Sequence, residues 1–234
     1  MSESSFDQYA DAYDAWFYKN ENLLKSEVRL VAHFLRNGGK TFSVGCGSGL
    51  FESIMNREFG IQVSHGIEPS ADMADIARKR GMEVVIATAE EADYGTDLYD
   101  TVLFNGTPSY ISNLQQAFEK AHAALHSGGQ IVVIDVPKES SYALLYNLAM
   151  AVGTWEHPLL EGVQPPDPYP IEFVKAANWR TTEEKVKILE RVGFSEFEFA
   201  QTLTHHPIYS NQVIEDPIPG YDRGDYVAIR AIKE

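Results

Sequence analysis

The chain has 234 residues, with 19 Lys and Arg against 34 Asp and Glu, a net charge of −15, and it is 44% hydrophobic and 12% aromatic. That length suits one domain with elaborations and that composition fills an ordinary core, while no apolar run approaches the ~20 residues that span a bilayer. So acidic a balance, with no stripe of Lys and Arg, argues against nucleic acid and anionic membranes as partners and has solubility as its plain role.

In chain order, Met1-Ser2-Glu3-Ser4-Ser5 has neither the basic region nor the apolar core of a signal peptide, so a cytoplasmic protein is expected. Residues 6–36 read as helix: Phe6, Tyr9, Ala10 and Tyr13 recur at three- and four-residue spacing, and Leu23, Leu24, Val28, Val31 and Leu35 continue the pattern. Asn37-Gly38-Gly39 ends it. Strands and helices then alternate: strand 40–45, helix 49–58, strand 62–67, helix 70–80, strand 83–86, strand 99–104, helix 113–126 and strand 130–135. Such alternation predicts a parallel sheet wrapped by helices, and Ile131-Val132-Val133-Ile134, apolar on both faces, suits a central strand. After Pro137 the rhythm breaks into an apolar, partly aromatic stretch from Tyr142 to Trp155 and a loop, Gln164-Pro165-Pro166-Asp167-Pro168-Tyr169-Pro170, too rich in proline for helix. Thr181-Thr182-Glu183-Glu184 is a capping box opening a helix over 182–191, which Gly193 stops, and strands near 194–200 and 225–232 finish the sheet.

The most informative residues lie between the first strand and its helix. Gly45, Gly47 and Gly49, at alternate positions, let the chain turn sharply and bring backbone against a ligand that a β-carbon would hold away. Glu68, 19 residues beyond Gly49 and at the tip of the next strand, is placed to accept hydrogen bonds from a ribose diol. Together they point to a nucleoside-containing cofactor. A dinucleotide fingerprint wants glycine where Leu50 stands, and no basic residue between Thr41 and Arg57 would meet a phosphate, so a nicotinamide-dependent oxidoreductase is the weaker reading. Cys46, the single cysteine, is a small filler in this turn and excludes both an internal disulfide and a cysteine-based zinc site.

The run Thr41 to Gly49 resembles motif I of the class I S-adenosylmethionine-dependent methyltransferases. Gly66-Ile67-Glu68-Pro69-Ser70-Ala71-Asp72-Met73 is similar to that family's second motif, and Ala87-Thr88-Ala89-Glu90 to its third. Tyr99 to Gly106 looks like its strand-four motif, and Ser127 to Ile134 like its turn into strand five. The likeness implies a Rossmann-like α/β fold: a seven-stranded, mostly parallel sheet in the order 3-2-1-4-5-7-6 with helices on both faces. The last strand would be antiparallel, with a helical or loop cap after strand five. It implies one domain with an N-terminal helical segment (1–37), a cofactor-binding core (38–136), a cap or substrate insertion (137–180) and a C-terminal helix and strand pair (181–234). S-adenosylmethionine would be the methyl donor and S-adenosylhomocysteine the product, with Ser43, Gly45, Cys46, Gly47, Gly49 and Glu68 at one end of the cofactor. Pro69, Met73, Thr88, Ala89 and Glu90 would lie around adenine, and Asn105 and Gly106 near the transferred methyl.

Two departures matter. Ser43 stands where the family has its motif I acid, and Thr88 where it has the acid of the third motif. A hydroxyl replaces one hydrogen bond of a carboxylate but not its charge, so cofactor affinity is expected to be weak unless other groups supply the contacts. Around the methyl, Asp135 and Tyr110 are the candidate catalytic residues, and Tyr9, Tyr13, Trp16, Tyr110 and His157 candidates for lining a substrate pocket closed by residues 1–20 and 137–180. Asp135 with His157, His205 and His206 could in principle bind a divalent ion, but no metal-ligand spacing is present and no metal is expected. The acceptor is read as a small neutral or cationic molecule. The alternative is a protein that binds the cofactor without methylating.

Overall fold

The computed structural model of the protein describes Asp7 and residues 9–234; the expected helix start at Phe6 lies outside the described residues. Strand β1 (Thr41–Val44), buried at every position, sits inside the sheet. Strands β2 (His65–Glu68), β3 (Glu83–Ile86), β4 (Tyr99–Asn105) and β5 (Leu125–Asp135) extend it in parallel. The last strand, β8 (Tyr226–Lys233), lies antiparallel between β5 and β6 (Phe194–Thr202). An additional strand, β7 (Ile218–Pro219), pairs with β6 at the sheet edge, giving eight strands in the order β3-β2-β1-β4-β5-β8-β6-β7 where seven were expected. Two residues offer no alternation to read, and a proline, lacking an N–H, is tolerated in a sheet because this strand is an edge. β5 starts at Leu125 rather than at 130, because the Ser127-Gly128-Gly129 turn becomes an irregularity inside the β4–β5 ladder.

The N-terminal segment is two helices, not one: α1 (Ala10–Lys19) and α2 (Glu21–Leu35). Asn20 breaks the run at φ −103°, ψ 53°. Its side-chain amide donates to Trp16 O and to Asp167 Oδ2, both at 3.0 Å, a local competition with the helix that periodicity does not reveal. Asp14 then ties α1 to the glycine turn: its Oδ1 accepts from Ser48 Oγ and its Oδ2 pairs with Arg80, each at 2.5 Å.

Helices α3 (Leu50–Phe59), α4 (Ala71–Lys79) and α5 (Leu114–Ala124) fall where alternation places them. The aromatic stretch after Pro137 is largely helix, α6 (Ser141–Val152), opened by Ser140 whose Oγ accepts from the Ala143 N–H, and a short α7 (Ile171–Ala176) follows the proline loop. Helix α8 (Thr182–Val192) begins on the complete Thr181/Glu184 capping box. One core packs α2, α3 and α6 on one sheet face, with Leu30, Met55 and Tyr146 among its members, while the other sets Phe118 of α5 and Leu189 of α8 against Phe104. Among the described residues no helix is long and apolar enough to cross a membrane.

Candidate active site

The turn after β1 is lashed to β2 by its own backbone: the N–H groups of Gly45 and Cys46 both donate to Ile67 O, at 2.8 and 3.0 Å. The next amide, of Gly47, donates to Glu68 Oε2 at 2.9 Å, and Glu68 Oε1 accepts from the Ser70 N–H at 2.9 Å. Gly47 adopts φ +55°, where side chains are strained, and a β-carbon there would meet no atom within 4 Å, because the space beside it is cleft. At Gly45 a β-carbon would strike Thr107, and Gly49 packs against Met82 and Ala77 without reaching the cleft; these two glycines serve the turn itself. Glu68 is only 5% exposed, and burial pushes its carboxyl up to about 7 against the pull of its two N–H donors.

Gly47 and Glu68 open onto a cleft of about 510 Å³ beyond the C-terminal ends of β1, β2 and β4, where ligands of open α/β sheets bind. Gly45, Cys46, Pro69 and Met73 line it at one side, Thr88, Ala89 and Glu90 at another, and Asn105, Gly106, Tyr110 and Tyr13 at its inner end. Its charged lining residues are Glu52, Glu68, Glu90 and Glu91, with no Lys, Arg or His among those described. Such a cleft attracts a cation and offers no counter-charge to a phosphate.

Both departures from the motifs have local answers. Ser43 is buried beneath the cleft, and its Oγ donates to Glu52 Oε1 at 2.8 Å. Glu52, itself 5% exposed, brings into the cleft a carboxylate from α3 that β1 does not carry. Burial raises its pKa; the Ser43 hydroxyl, its own backbone and the Arg80 guanidinium oppose the rise. Thr88 Oγ1 likewise donates to Glu91 Oε2 at 3.0 Å, and Glu91 also lines the cleft. Neither glutamate stands at a motif position, so only the hydroxyls hinted at them.

Behind Asn105 and Gly106 lies an inner chamber of about 70 Å³, lined by Trp16, Glu27, Asp135, Tyr146, Trp179 and Tyr226 together with residues shared with the cleft, among them Tyr13, Tyr110 and Tyr169. The two spaces therefore adjoin. Asn105 Oδ1 accepts from the Tyr226 hydroxyl at 2.9 Å, and Tyr110 and Tyr169 both line the chamber. Asp135 is fully engaged: its Oδ2 accepts from Ser109 at 2.7 Å and faces Lys185 Nζ at 3.6 Å, and its Oδ1 accepts from the Val136 N–H at 2.9 Å. Burial raises its pKa and Lys185 pulls it back. Glu27 carries no motif signal, because it falls among the apolar positions of an amphipathic helix and reads as an interruption of the pattern.

Not every candidate converges here. Tyr9 is 43% exposed, edge-on to Phe173, and lines neither space. His157 caps a single turn, its Nδ1 accepting from the Leu159 N–H, while His205 pairs with Glu215 at 2.9 Å; the structure does not bring the histidines to Asp135.

A family profile of methyltransferase domains matches residues 16–194. An uncharacterized protein of Methanocaldococcus jannaschii is 28% identical over 228 residues, which cover 97% of this chain and 98% of that protein. The crystal structure of an S-adenosylmethionine-dependent methyltransferase of Thermotoga maritima, a possible histamine N-methyltransferase, superposes with a TM-score of 0.82 at 29% identity, covering 98% of this chain and 99% of that one. A chain from the complex of the Haloferax volcanii Trm112 methyltransferase activator with a methyltransferase shares the fold, with a TM-score of 0.63 at 13% identity, covering 99% of both. Glycine turn, strand-tip glutamate, sheet order and matched domain agree: the chain belongs to the methyltransferase domain family and is a class I S-adenosylmethionine-dependent methyltransferase.

Proposed function

We propose that the outer cleft holds S-adenosylmethionine and that the inner chamber takes the reacting group of a small neutral or cationic acceptor. The observation that carries this reading is the cleft itself, acidic at every charged lining position and open beside the Gly47 backbone where a β-carbon would intrude. The residues fit a cationic, phosphate-free nucleoside. S-adenosylmethionine, when bound, supplies a methyl group already activated by its sulfonium, so alignment and exclusion of water are the main work left to the protein.

Each residue's part follows from what its atoms are free to do. Glu68 spends one lone pair per oxygen on Gly47 and Ser70 and keeps the others for two ribose hydroxyls. Glu52, oriented by Ser43, supplies the negative charge at the methionine end, and Glu91 with Thr88 the acceptor at the adenine edge. Tyr110 offers a ring toward the sulfonium, an attraction of roughly 0.5–2 kcal/mol. Asn105 and Gly106 stand where cleft and chamber meet. Asp135, with its oxygens engaged, anchors the end of β5 and is a positioning residue in this reading. A protein that held the cofactor without turnover would have no use for the adjoining chamber. The acidic surface suits work in the cytoplasm, away from nucleic acid and membranes.

The test is calorimetric titration with S-adenosylmethionine, S-adenosylhomocysteine and NAD, on the wild type and on Gly47→Arg and Glu68→Ala. The first two ligands should bind, NAD should not, and each substitution should abolish or strongly weaken binding while circular dichroism stays native. Unchanged affinity in both variants, or preference for NAD, would overturn the proposal.

A further inference from the structure

The inner chamber contains a carboxylate for which the methyl donor has no need. Glu27 is 7% exposed, and among the described residues no hydrogen bond or ion pair reaches it. The chamber around it is aromatic: Trp16, Tyr110, Tyr146, Tyr169, Trp179 and Tyr226. Tyr146 and Trp179 stack at 5.2 Å and 28°, and Trp16 meets Tyr169 edge-on at 5.0 Å, so these walls hold one another in place. The Trp179 Nε1 is buried without a hydrogen-bond partner. Buried polar groups are nearly always satisfied, and a leucine at position 27 would complete the apolar face of α2 at no such cost. A carboxylate inside a ring of aromatic faces is the chemistry that recognises an ammonium group.

We propose that the chamber is an ammonium-recognition site and that the acceptor is an amine, caged by the aromatic rings and paired with Glu27, which takes the proton its nitrogen must lose. This rests on the methyl-transfer reading above. The N–H bond breaks with its electron pair left on nitrogen, and the proton passes to a Glu27 oxygen. The freed lone pair then forms the new bond to the methyl carbon as the carbon–sulfur bond breaks with its pair on sulfur, leaving the neutral thioether of S-adenosylhomocysteine. That proton goes to solvent when the product leaves. An alcohol of the same shape brings no charge and gains nothing from Glu27.

Other titratable groups share this space with Glu27 or stand close to it. Tyr13 of α1, Tyr142 and Tyr146 of α6 and Tyr226 of β8 are phenols raised first by burial, with the Glu27 charge adding to the rise, and they stay neutral. Tyr110 and Tyr169 are raised by burial too. Asp135 of β5 is held by Ser109, Val136 and Lys185, Glu52 of α3 by Ser43, and Asp225 by the Tyr142 N–H. Burial pushes Glu27 up to about 8. Ammonium binding should therefore strengthen as pH rises through about 8 and weaken again where the amine loses its own proton, near ~10.

The experiment saturates wild type and Glu27→Gln with S-adenosylhomocysteine. Each is then titrated with n-propylamine and benzylamine, and with n-propanol and benzyl alcohol, following tryptophan fluorescence and heat between pH ~6 and ~10. Both proteins should bind S-adenosylhomocysteine alike. In the wild type an amine should bind about 30-fold or more tightly than its alcohol, with the lower limb of the pH profile near 8, and Glu27→Gln should lose both the preference and the limb. Retained S-adenosylhomocysteine binding with no preference for either amine, or with a lower limb unchanged in Glu27→Gln, would overturn the amine assignment alone. Loss of S-adenosylhomocysteine binding by the wild type would overturn the reading beneath it.

Discussion

Replacing Glu27 by glutamine should make this protein more stable at neutral and alkaline pH. The carboxyl moves from an ordinary value of 4.5 to about 8 on folding, with burial as the cause. A group raised in this way is protonated in the folded state over a range where the unfolded chain has already released its proton. Its stabilising uptake is complete below the unfolded value and is lost as pH climbs through that window, ending near 8. At roughly 1.4 kcal/mol per unit, the wild type gives up about 3 kcal/mol by pH 7 and about 5 kcal/mol above pH 8. Glutamine has the shape of the neutral acid and no proton to lose, so the two proteins should match near pH 4 and diverge by those amounts as pH rises. Against a typical total of about 5–15 kcal/mol, the difference is large. Urea unfolding of both proteins at pH ~4, ~7 and ~8.5 reads it directly. Glu68, raised to about 7, and Asp225, raised to about 6, tilt both curves equally and cancel in the comparison. A stability difference independent of pH, or a variant less stable than wild type at alkaline pH, would refute the reasoning. A confirmed gain would also mean that the chain retains a costly carboxylate, as active sites do and cores do not.

Three further outcomes are expected. Glu52→Gln should weaken S-adenosylmethionine binding by roughly tenfold through lost charge, and Ser43→Ala by less, since it removes only the hydroxyl that orients Glu52; calorimetry separates the two. Asp135→Asn should cost about 3 kcal/mol or more by leaving the Lys185 ammonium buried without its counter-charge, and adding Lys185→Met should recover much of that loss in chemical denaturation. Asp14→Ala should release α1 from Ser48 and Arg80, lowering stability by roughly 1–3 kcal/mol. Amide exchange should then speed up in residues 10–19 while the β5 amides stay protected.

How much of this was legible beforehand depends on the range of the interaction involved. The alternation of strands and helices, the glycine turn and Glu68 are local patterns of period, backbone freedom and spacing, and they stand in the structure where the sequence places them. The break at Asn20 was not legible, because it depends on Asp167 in a loop far along the chain. Nor was the two-residue β7, which exists only because the edge of β6 lies beside it.

The candidate site divides along the same line. The sequence by itself determined the alternating strands and helices and the glycine turn with Glu68 at the tip of the next strand, since those follow from residues near one another in the chain. Only the tertiary structure decided which carboxylates face that cleft and its inner chamber. Glu52 reaches Ser43 across the first β–α turn, Glu91 reaches Thr88 across a loop, and Glu27 meets rings from α1, α6 and β8. A buried charge is defined by what surrounds it, and those surroundings come together only when the chain folds.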